Sequence, residues 1–192
     1  MGCLLYSLSL EKIKKILSSE ILPHIDDQNT KHAAVLVVIY GEESKIIMTE
    51  KPKTLSLHAG EISFPGGKRA SEDEDLLDTA LRETKEEISL GLRRGDVIGQ
   101  LHPVKTRNSG FTIIPFVAVL PEVPTLKANL EVEEILQMPL FPLLGTLKLD
   151  EDEEHRSLFE AYMLTYYDKT VWGASARILK QMSDLFKQND LL

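Results

Sequence analysis

The longest unbroken apolar run in this chain of 192 residues is "AAVLVVIY", at positions 33–40. A run of this length cannot cross a bilayer as a helix, which takes about 20 apolar residues. Its β-branched residues predict a buried strand, and the turn "GEES" that follows predicts a hairpin with "KIIMT" (45–49) as its second strand. We therefore expect a core built on this hairpin.

Helix and strand patterns alternate along the rest of the chain. Apolar residues at helical spacing predict helices at 9–22, 74–88 and 175–186. Strand patterns occur at 96–104, 111–120 and 158–167, and 133–140 is typical of a short strand that enters a helix or loop. Turns are predicted at 65–67, 105–110 and 150–156, and the only tryptophan, Trp172, is expected in the core.

This order of elements predicts a mixed α/β fold in a single domain. Residues 1–32 are expected to form an N-terminal helix and linker, and residues 33–192 the main domain.

Composition and charge exclude several classes of protein. A net charge of −8 argues against nonspecific binding to nucleic acid. The single cysteine, Cys3, cannot form an internal disulfide, and the first ten residues lack the positive region of a signal peptide. We therefore expect a cytoplasmic protein that binds neither nucleic acid nor membrane. The sequence leaves the oligomeric state open, a homodimer included.

The predicted helix at 74–88 carries three glutamates on one face. Glu86 and Glu87 lie three and four residues after Glu83. At these spacings like charges oppose helix formation by about 0.2–0.5 kcal/mol per pair. A hard cation such as Mg²⁺ would turn that repulsion into attraction, whereas zinc would favour histidine or cysteine ligands. Arg82 stands four residues before Glu86 and is expected to pair with a glutamate and fix its rotamer.

The segment "GGKRASEDEDLLDTALRETKEEISL" (66–90) resembles the Nudix box, whose pattern is G-x5-E-x7-R-E-U-x-E-E-x-G-U, with U a bulky apolar residue. The residues in matching positions are Gly67, Arg82, Glu83, Glu86, Glu87 and Leu90. The catalytic half of the pattern, "RETKEE", is intact.

The segment departs from the pattern in three ways. The gap before "RE" is one residue longer, Thr84 takes a usually apolar position, and Ser89 replaces a glycine. Because the gap is longer, either Asp73 or Glu74 can stand for the upstream acid, and the sequence does not decide between them.

The resemblance extends to the coenzyme A pyrophosphatase branch of the Nudix family. The segment "MTEKPKTLSLHAGEISFPGG" (48–67) is similar to the motif that precedes the lengthened box in that branch, and "SGFTIIP" and "VWGASARIL" also look like it. Lys51 occupies the place usually held by arginine, and Ser56 that of a second, less constant arginine. Lysine keeps the charge of arginine but not its bidentate fork.

The resemblance implies a Nudix-type α/β/α sandwich with a mixed β-sheet, and Mg²⁺- or Mn²⁺-dependent hydrolysis of a diphosphate in a small molecule, coenzyme A above all. An enzyme for ADP-ribose or another nucleoside diphosphate derivative is the alternative. A third alternative is a Nudix-fold binding module without catalysis, which usually has lost the ligand glutamates; all are present here.

The resemblance also implies roles for particular residues. The metal ligands would be Glu83, Glu87, Glu86 and Gly67, and the catalytic set Glu86, Arg82, Glu83 and Glu87. Glu86 would either bind metal or orient or deprotonate water. The general base has no fixed place in the family, and Glu131 is a candidate from a loop. The expected substrate-binding residues are Lys51, Lys53, His58, Gly66, Lys68 and Arg69.

Overall fold

The computed structural model describes residues 2–24, 31–54, 59–106, 110–150 and 161–192, with side chains from Leu10 onward. The helices are α1 (Gly2–Leu17), α2 (Leu76–Ile88), α3 (Leu140–Leu144) and α4 (Gly173–Gln188), with a 3₁₀ turn at Arg94–Asp96. The strands are β1 (Lys31–Tyr40), β2 (Lys45–Glu50), β3 (Ile62–Ser63), β4 (Gly66–Lys68), β5 (Val97–Gln100), β6 (Val104–Lys105), β7 (Phe111–Leu120), β8 (Glu134–Pro139), β9 (Lys148–Leu149), β10 (Tyr162–Tyr166) and β11 (Lys169–Val171).

The main sheet is mixed and has the order β3-β2-β1-β7-β5. Strands β1 and β7 lie parallel over their whole length, from the pair Lys31–Phe111 to the pair Tyr40–Leu120. The remaining pairs are antiparallel: β4 pairs with β1, β6 with β7, and β8 with β2. Strands β9, β10 and β11 form a second, small sheet.

Strand β1 is apolar on both faces because each face contributes to a different core. Val35, Val37 and Ile39 pack with buried side chains of α1, α3 and α4. The alternate residues, from Ala34 to Val38, pack with α2 on the opposite face. Helices therefore cover both faces of the sheet, which confirms the predicted α/β/α sandwich and its single domain.

Helix α1 differs from the predicted helix at 9–22, since it begins at Gly2 and ends at Leu17. The chain leaves the helix there because it runs onto β5: the amide of Ser19 donates to the carbonyl of Ile98 at 3.2 Å. A Cβ on Gly99 would lie 2.2 Å from the carbonyl oxygen of Leu17, so only glycine permits this approach. Ile13 and Leu17 are buried in the core. The division at residue 32 stays a prediction.

Several other predictions need correction. The segment 65–67 is not simply a turn, because Gly66 and Gly67 belong to β4 and pair with β1. The predicted strand at 96–104 is two strands, β5 and β6. Trp172 is 41 % exposed, because it takes the N-cap position of α4 at a junction between strand and helix. Of the predicted turns, residues 107–109 and 151–156 lie outside the described ranges. No helix in the described part of the chain is long and apolar enough to span a membrane.

Candidate active site and metal centre

Helix α2 carries the glutamates and is fixed at both ends. At its N-terminus the carboxylate of Asp75 accepts hydrogen bonds from the amides of Leu77 (2.9 Å) and Asp78 (3.0 Å), and Arg94 binds both oxygens of the same carboxylate. At its C-terminus Ser89 adopts the left-handed conformation, with φ 59° and ψ 27°. Ser89 therefore keeps the geometry for which the Nudix pattern has glycine, at a cost of about 1–2 kcal/mol.

Two glycines of β4 lie against the glutamates of α2. The amide of Gly66 donates to Oε2 of Glu87 at 3.1 Å. A Cβ on Gly67 would lie 2.5 Å from Oε1 of Glu83, so the carboxylate of Glu83 rests on the backbone where a side chain would stand. The short pairing of β4 with β1 thus places backbone atoms next to two carboxylates.

Glu87 is buried more deeply than the sequence predicts. Helical spacing places the three glutamates together on one charged face of α2, where exposure is expected, but Glu87 is 4 % exposed. The cause is β4, which covers this end of the glutamate face. Burial raises the pKa of Glu87 to about 7, although the Gly66 amide and the charge of Lys51 act in the opposite direction. Burial also raises the pKa of Glu83, against the influence of Arg82.

Arg82 organises the acidic residues around it. Its Nε and Nη2 bind the two oxygens of Asp73 at 2.9 and 3.0 Å. Its Nη1 donates to Glu83 at 2.9 Å and to Glu86 at 3.1 Å, which agrees with the expectation that Arg82 pairs with a glutamate. Hydrogen bonds from Arg82 lower the pKa of Asp73 to about 2.

Asp73 and Glu74 are the two acids between which the sequence does not decide for the upstream position of the Nudix pattern, and the structure distinguishes them. The carboxylate of Asp73 is buried and accepts further hydrogen bonds from the amide of Ala70 and the hydroxyl of Thr79, both at 2.8 Å. The neighbouring Glu74 is exposed. Of the two acids, Asp73 is therefore the one that faces Arg82.

The donors of this site fit a hard divalent cation. No three carboxylate, imidazole or thiol groups of the described residues lie together as a ready-made metal cage. Mg²⁺, however, is usually held by one or two carboxylates together with water and substrate phosphates. Glu83 and Glu87 supply two carboxylates beside the backbone of Gly67, where a Cβ would lie, and no cation of the described residues forms an ion pair with the buried carboxylate of Glu87.

A model of the NUDIX domain family matches residues 30–162 of the chain. The protein belongs to the Nudix family. The chain is 33 % identical over 159 residues to a protein of Yersinia enterocolitica with the name "Uncharacterized Nudix hydrolase NudL", and the match covers 81 % of each chain. The family and this relative make the protein a Nudix hydrolase, an enzyme that acts on diphosphates. Nudix hydrolases generally use a divalent metal such as Mg²⁺ or Mn²⁺.

Solved structures with the same fold include a MutT/nudix family protein from Enterococcus faecalis. It has a TM-score of 0.58 and 16 % identity, with 88 % of this chain and 66 % of that chain covered. The NUDIX domain of NrtR from Shewanella oneidensis, solved in complex with ADP ribose, has a TM-score of 0.51 and 17 % identity, with 62 % and 78 % covered. At these identities the likeness shows the fold alone.

The predicted substrate-binding residues of this Nudix hydrolase occupy different surroundings. Lys51 follows β2 and bonds through its backbone to Glu61 and Gly60, and its charge reaches Glu87. Lys53 is exposed, with its side chain beside Gly60. Arg69 donates to the carbonyls of Asp73 (3.1 Å) and Glu74 (2.8 Å), so it supports the loop before α2. His58 and Ser56 lie outside the described residues.

The loop between β7 and β8 borders the site. No local sequence pattern indicates that this loop lies there. The amide of Lys127 donates to the carbonyl of Ile88 at 3.1 Å, and that of Asn129 to the carbonyl of Glu87 at 3.0 Å. These bonds satisfy carbonyls at the end of α2. Glu131 in this loop is exposed, and its charge raises the pKa of both Glu83 and Glu87. Its role as general base stays a prediction.

Lys169 connects the small sheet to the strands that enter the site. Its ammonium binds the buried carboxylate of Glu50, at the end of β2. It also binds the carboxylate of Glu134, at the start of β8, at 2.8 Å.

Replacement of Lys169 by methionine would leave the Glu50 carboxylate buried without its cation. We expect the free energy of unfolding to fall by about 2–3 kcal/mol, measured by urea denaturation. Lys187→Met, on the exposed last turn of α4, is the matched control. A loss no larger than that of the control would contradict this role.

The raised pKa of Glu87 predicts a pH dependence of stability in metal-free protein. A carboxylate whose pKa rises from 4.5 in the unfolded chain to about 7 in the folded one favours folding below pH 4.5 and loses that contribution as the pH rises through 7. Glu87→Gln removes this titration. In EDTA the variant should therefore gain stability relative to the wild type between pH 5 and pH 8, by up to about 3 kcal/mol.

The same variant tests whether Glu87 binds the cation. At pH 8, added Mn²⁺ should raise the thermal midpoint of the wild type, because the cation binds only the assembled site. The shift should be smaller in Glu87→Gln. Equal shifts in both proteins would place the cation elsewhere.

Proposed function

We propose that this Nudix hydrolase cleaves the diphosphate of coenzyme A or its derivatives and releases 3′,5′-ADP and 4′-phosphopantetheine. The observation that carries the proposal is the segment 48–67, which resembles the coenzyme A pyrophosphatase motif and precedes a box lengthened by one residue. The backbone of this segment closes on itself, since the amide of Gly60 donates to the carbonyl of Lys51 at 3.1 Å and the amide of Lys51 to the carbonyl of Glu61 at 3.0 Å. It ends at the two glycines that contact Glu83 and Glu87.

The charges around the carboxylates suit a substrate with several phosphates. Coenzyme A carries a 3′-phosphate besides its diphosphate. Lys51, Lys53 and Lys68 form no ion pair with a carboxylate of the described residues, so their ammonium groups are available to an anion. Arg69, in contrast, uses its guanidinium on two backbone carbonyls.

Each acidic residue has its own part in the proposed mechanism. Glu83 and Glu87 would hold Mg²⁺ or Mn²⁺, with the backbone of Gly67 beside them. When bound, the cation would neutralise charge on the diphosphate and make water a stronger nucleophile. Arg82 holds Glu83 and Glu86 in their orientations. Glu86 is 55 % exposed in its side chain, so it can reach water, which suits a residue that orients or deprotonates the nucleophile.

A substrate panel tests the proposal. Coenzyme A, dephospho-coenzyme A and ADP-ribose are compared at equal Mg²⁺ concentration and ionic strength, with the products identified by mass spectrometry. One charge-assisted contact to the 3′-phosphate contributes about 1.5–3 kcal/mol, so coenzyme A should be preferred to its dephospho form roughly 10- to 150-fold in kcat/KM. This preference for coenzyme A over its dephospho form should become smaller at high salt, because salt screens the charges. If ADP-ribose is hydrolysed far faster than coenzyme A, the proposed substrate is wrong, although the Nudix chemistry stands.

A further inference from the structure

Two lysines from different strands share one aromatic ring beside the candidate active site. The ammonium nitrogen of Lys68, in β4, lies 5.2 Å from the ring centre of Phe111, and that of Lys31, in β1, lies 5.9 Å from it. Strand pairing brings the three residues together, because Lys31 is the partner of Phe111 and Lys68 is the partner of Ala33. We call Lys31, Lys68 and Phe111 the two-lysine cluster.

The two-lysine cluster places two positive charges around one aromatic ring. Both lysines are exposed, and neither forms an ion pair within the part of the chain that the structure describes. The face of an aromatic ring attracts a cation, so contact with Phe111 favours the observed positions of both ammonium groups. An anion is the ligand that such a pair favours.

The cluster adjoins the residues that would hold the reacting diphosphate. Lys68 directly follows Gly67, whose backbone supports the carboxylate of Glu83. The carbonyl oxygen of Lys68 also accepts a hydrogen bond from Nη2 of Arg82 at 3.4 Å. Lys68 is in register with Ala33, so its side chain leaves the sheet on the face opposite α2, whereas Gly67 faces Glu83. A substrate whose diphosphate lies at Glu83 and Glu87 would therefore reach the two-lysine cluster by passing over strand β4, while the charge of Lys51 acts on Glu87.

The geometry points to the two-lysine cluster as the binding site for a phosphomonoester of the substrate, the 3′-phosphate of the adenosine end of coenzyme A. The identity of that phosphate rests on the proposed function. A phosphomonoester carries about −1.5 to −2 charges at pH 7, which two ammonium groups would balance. The 3′-phosphate would then lie at Lys31 and Lys68, and Lys51 would face the diphosphate.

The experiment compares Lys31→Ala and Phe111→Leu with Lys187→Ala, a control on the exposed last turn of α4. The measured quantity is the ratio of kcat/KM for coenzyme A to kcat/KM for dephospho-coenzyme A. Lys31→Ala should lower this ratio about 10-fold, the loss expected for one charge-assisted phosphate contact. Phe111→Leu keeps an apolar side chain but removes the ring face, and should lower the ratio by a smaller factor. An unchanged ratio in Lys31→Ala would overturn the assignment, as would an equal loss on both substrates.

A binding measurement separates failure of this site from failure of the proposed function. By titration calorimetry, 3′,5′-ADP should bind the wild type about 10-fold more tightly than 5′-AMP, and Lys31→Ala should abolish that difference. If coenzyme A is not hydrolysed but the difference depends on Lys31, the phosphomonoester site stands and the proposed substrate fails. If coenzyme A is hydrolysed and the difference is absent in the wild type, the site is wrong and the proposed function stands.

Discussion

Replacement of Glu83 or Glu87 by glutamine is expected to lower turnover at least about 100-fold. Glutamine has nearly the shape of glutamate but removes the negative charge that a hard cation requires, and positioned metal charge contributes several kcal/mol to the transition state. The measurement is kcat at saturating Mg²⁺ with the best substrate of the panel. The fold should persist in both variants, because neither side chain is part of the two apolar clusters.

The control for these variants is Glu74→Gln. Glu74 is the second acid that the sequence left open as the upstream position, but its side chain is exposed and Asp73 takes the contact with Arg82. Turnover of Glu74→Gln should stay close to that of the wild type. Near-normal turnover in Glu83→Gln and Glu87→Gln would show that the ligand assignment is wrong, whereas a large loss in Glu74→Gln would undermine the choice of Asp73.

The sequence predicts well those elements whose pattern is long and whose surroundings are uniform. Strand β7 occupies 111–120 as predicted, and β1 extends the predicted strand by only two residues. Both strands lie in the centre of the sheet, where helices cover both faces, so a continuous apolar run suffices to identify them. Helix α2 begins at Leu76, two residues later than predicted, directly after the N-cap Asp75.

Two features depend on partners far away in the chain: where a short strand forms, and which residues of a helix face become buried. Strand β4 has three residues, two of them glycine, and exists because β1 offers it a pairing edge. The burial of Glu87 follows from the same strand, which lies against the end of α2. Neither fact has a local signal, because periodicity within α2 describes its own faces and not what covers them.

The residues of the candidate site likewise divide into those that a sequence motif predicts and those that only the fold brings together. The motif "RETKEE" is enough to place Arg82 and the three glutamates on one helix face. The choice of Asp73 over Glu74 required the reach of the Arg82 side chain, which depends on the loop that Arg69 supports. Lys31 and Lys169 occur in no motif. Strand pairing sets Lys31 beside Phe111, and an ion pair with Glu50 joins Lys169 to the end of β2.

Replacement of Gly67 by alanine is expected to abolish most activity without unfolding the protein. A Cβ at this position would lie 2.5 Å from Cδ and from Oε1 of Glu83, a separation that real Cβ atoms do not adopt. The atoms in conflict are the far end of a flexible side chain, so Glu83 can move away at little cost to the fold. The same movement withdraws a carboxylate that the cation would need. Turnover should therefore fall at least about 100-fold, as in Glu83→Gln, while the thermal midpoint stays near that of the wild type.

Substitutions at two other glycines, Gly66 and Gly91, serve as controls for this result. Gly66 has φ +155°, and a Cβ there would lie 2.2 Å from the carbonyl oxygen of Ala34, which the pairing of β4 with β1 holds in place. Gly66→Ala should therefore destabilise the fold by several kcal/mol, because backbone atoms cannot move aside as the Glu83 carboxylate can. Gly91→Ala meets no atom within 4 Å and should change neither activity nor stability. Full activity in Gly67→Ala would mean that Glu83 does not need the position it holds against this backbone, and would remove the main structural support for its role as a metal ligand.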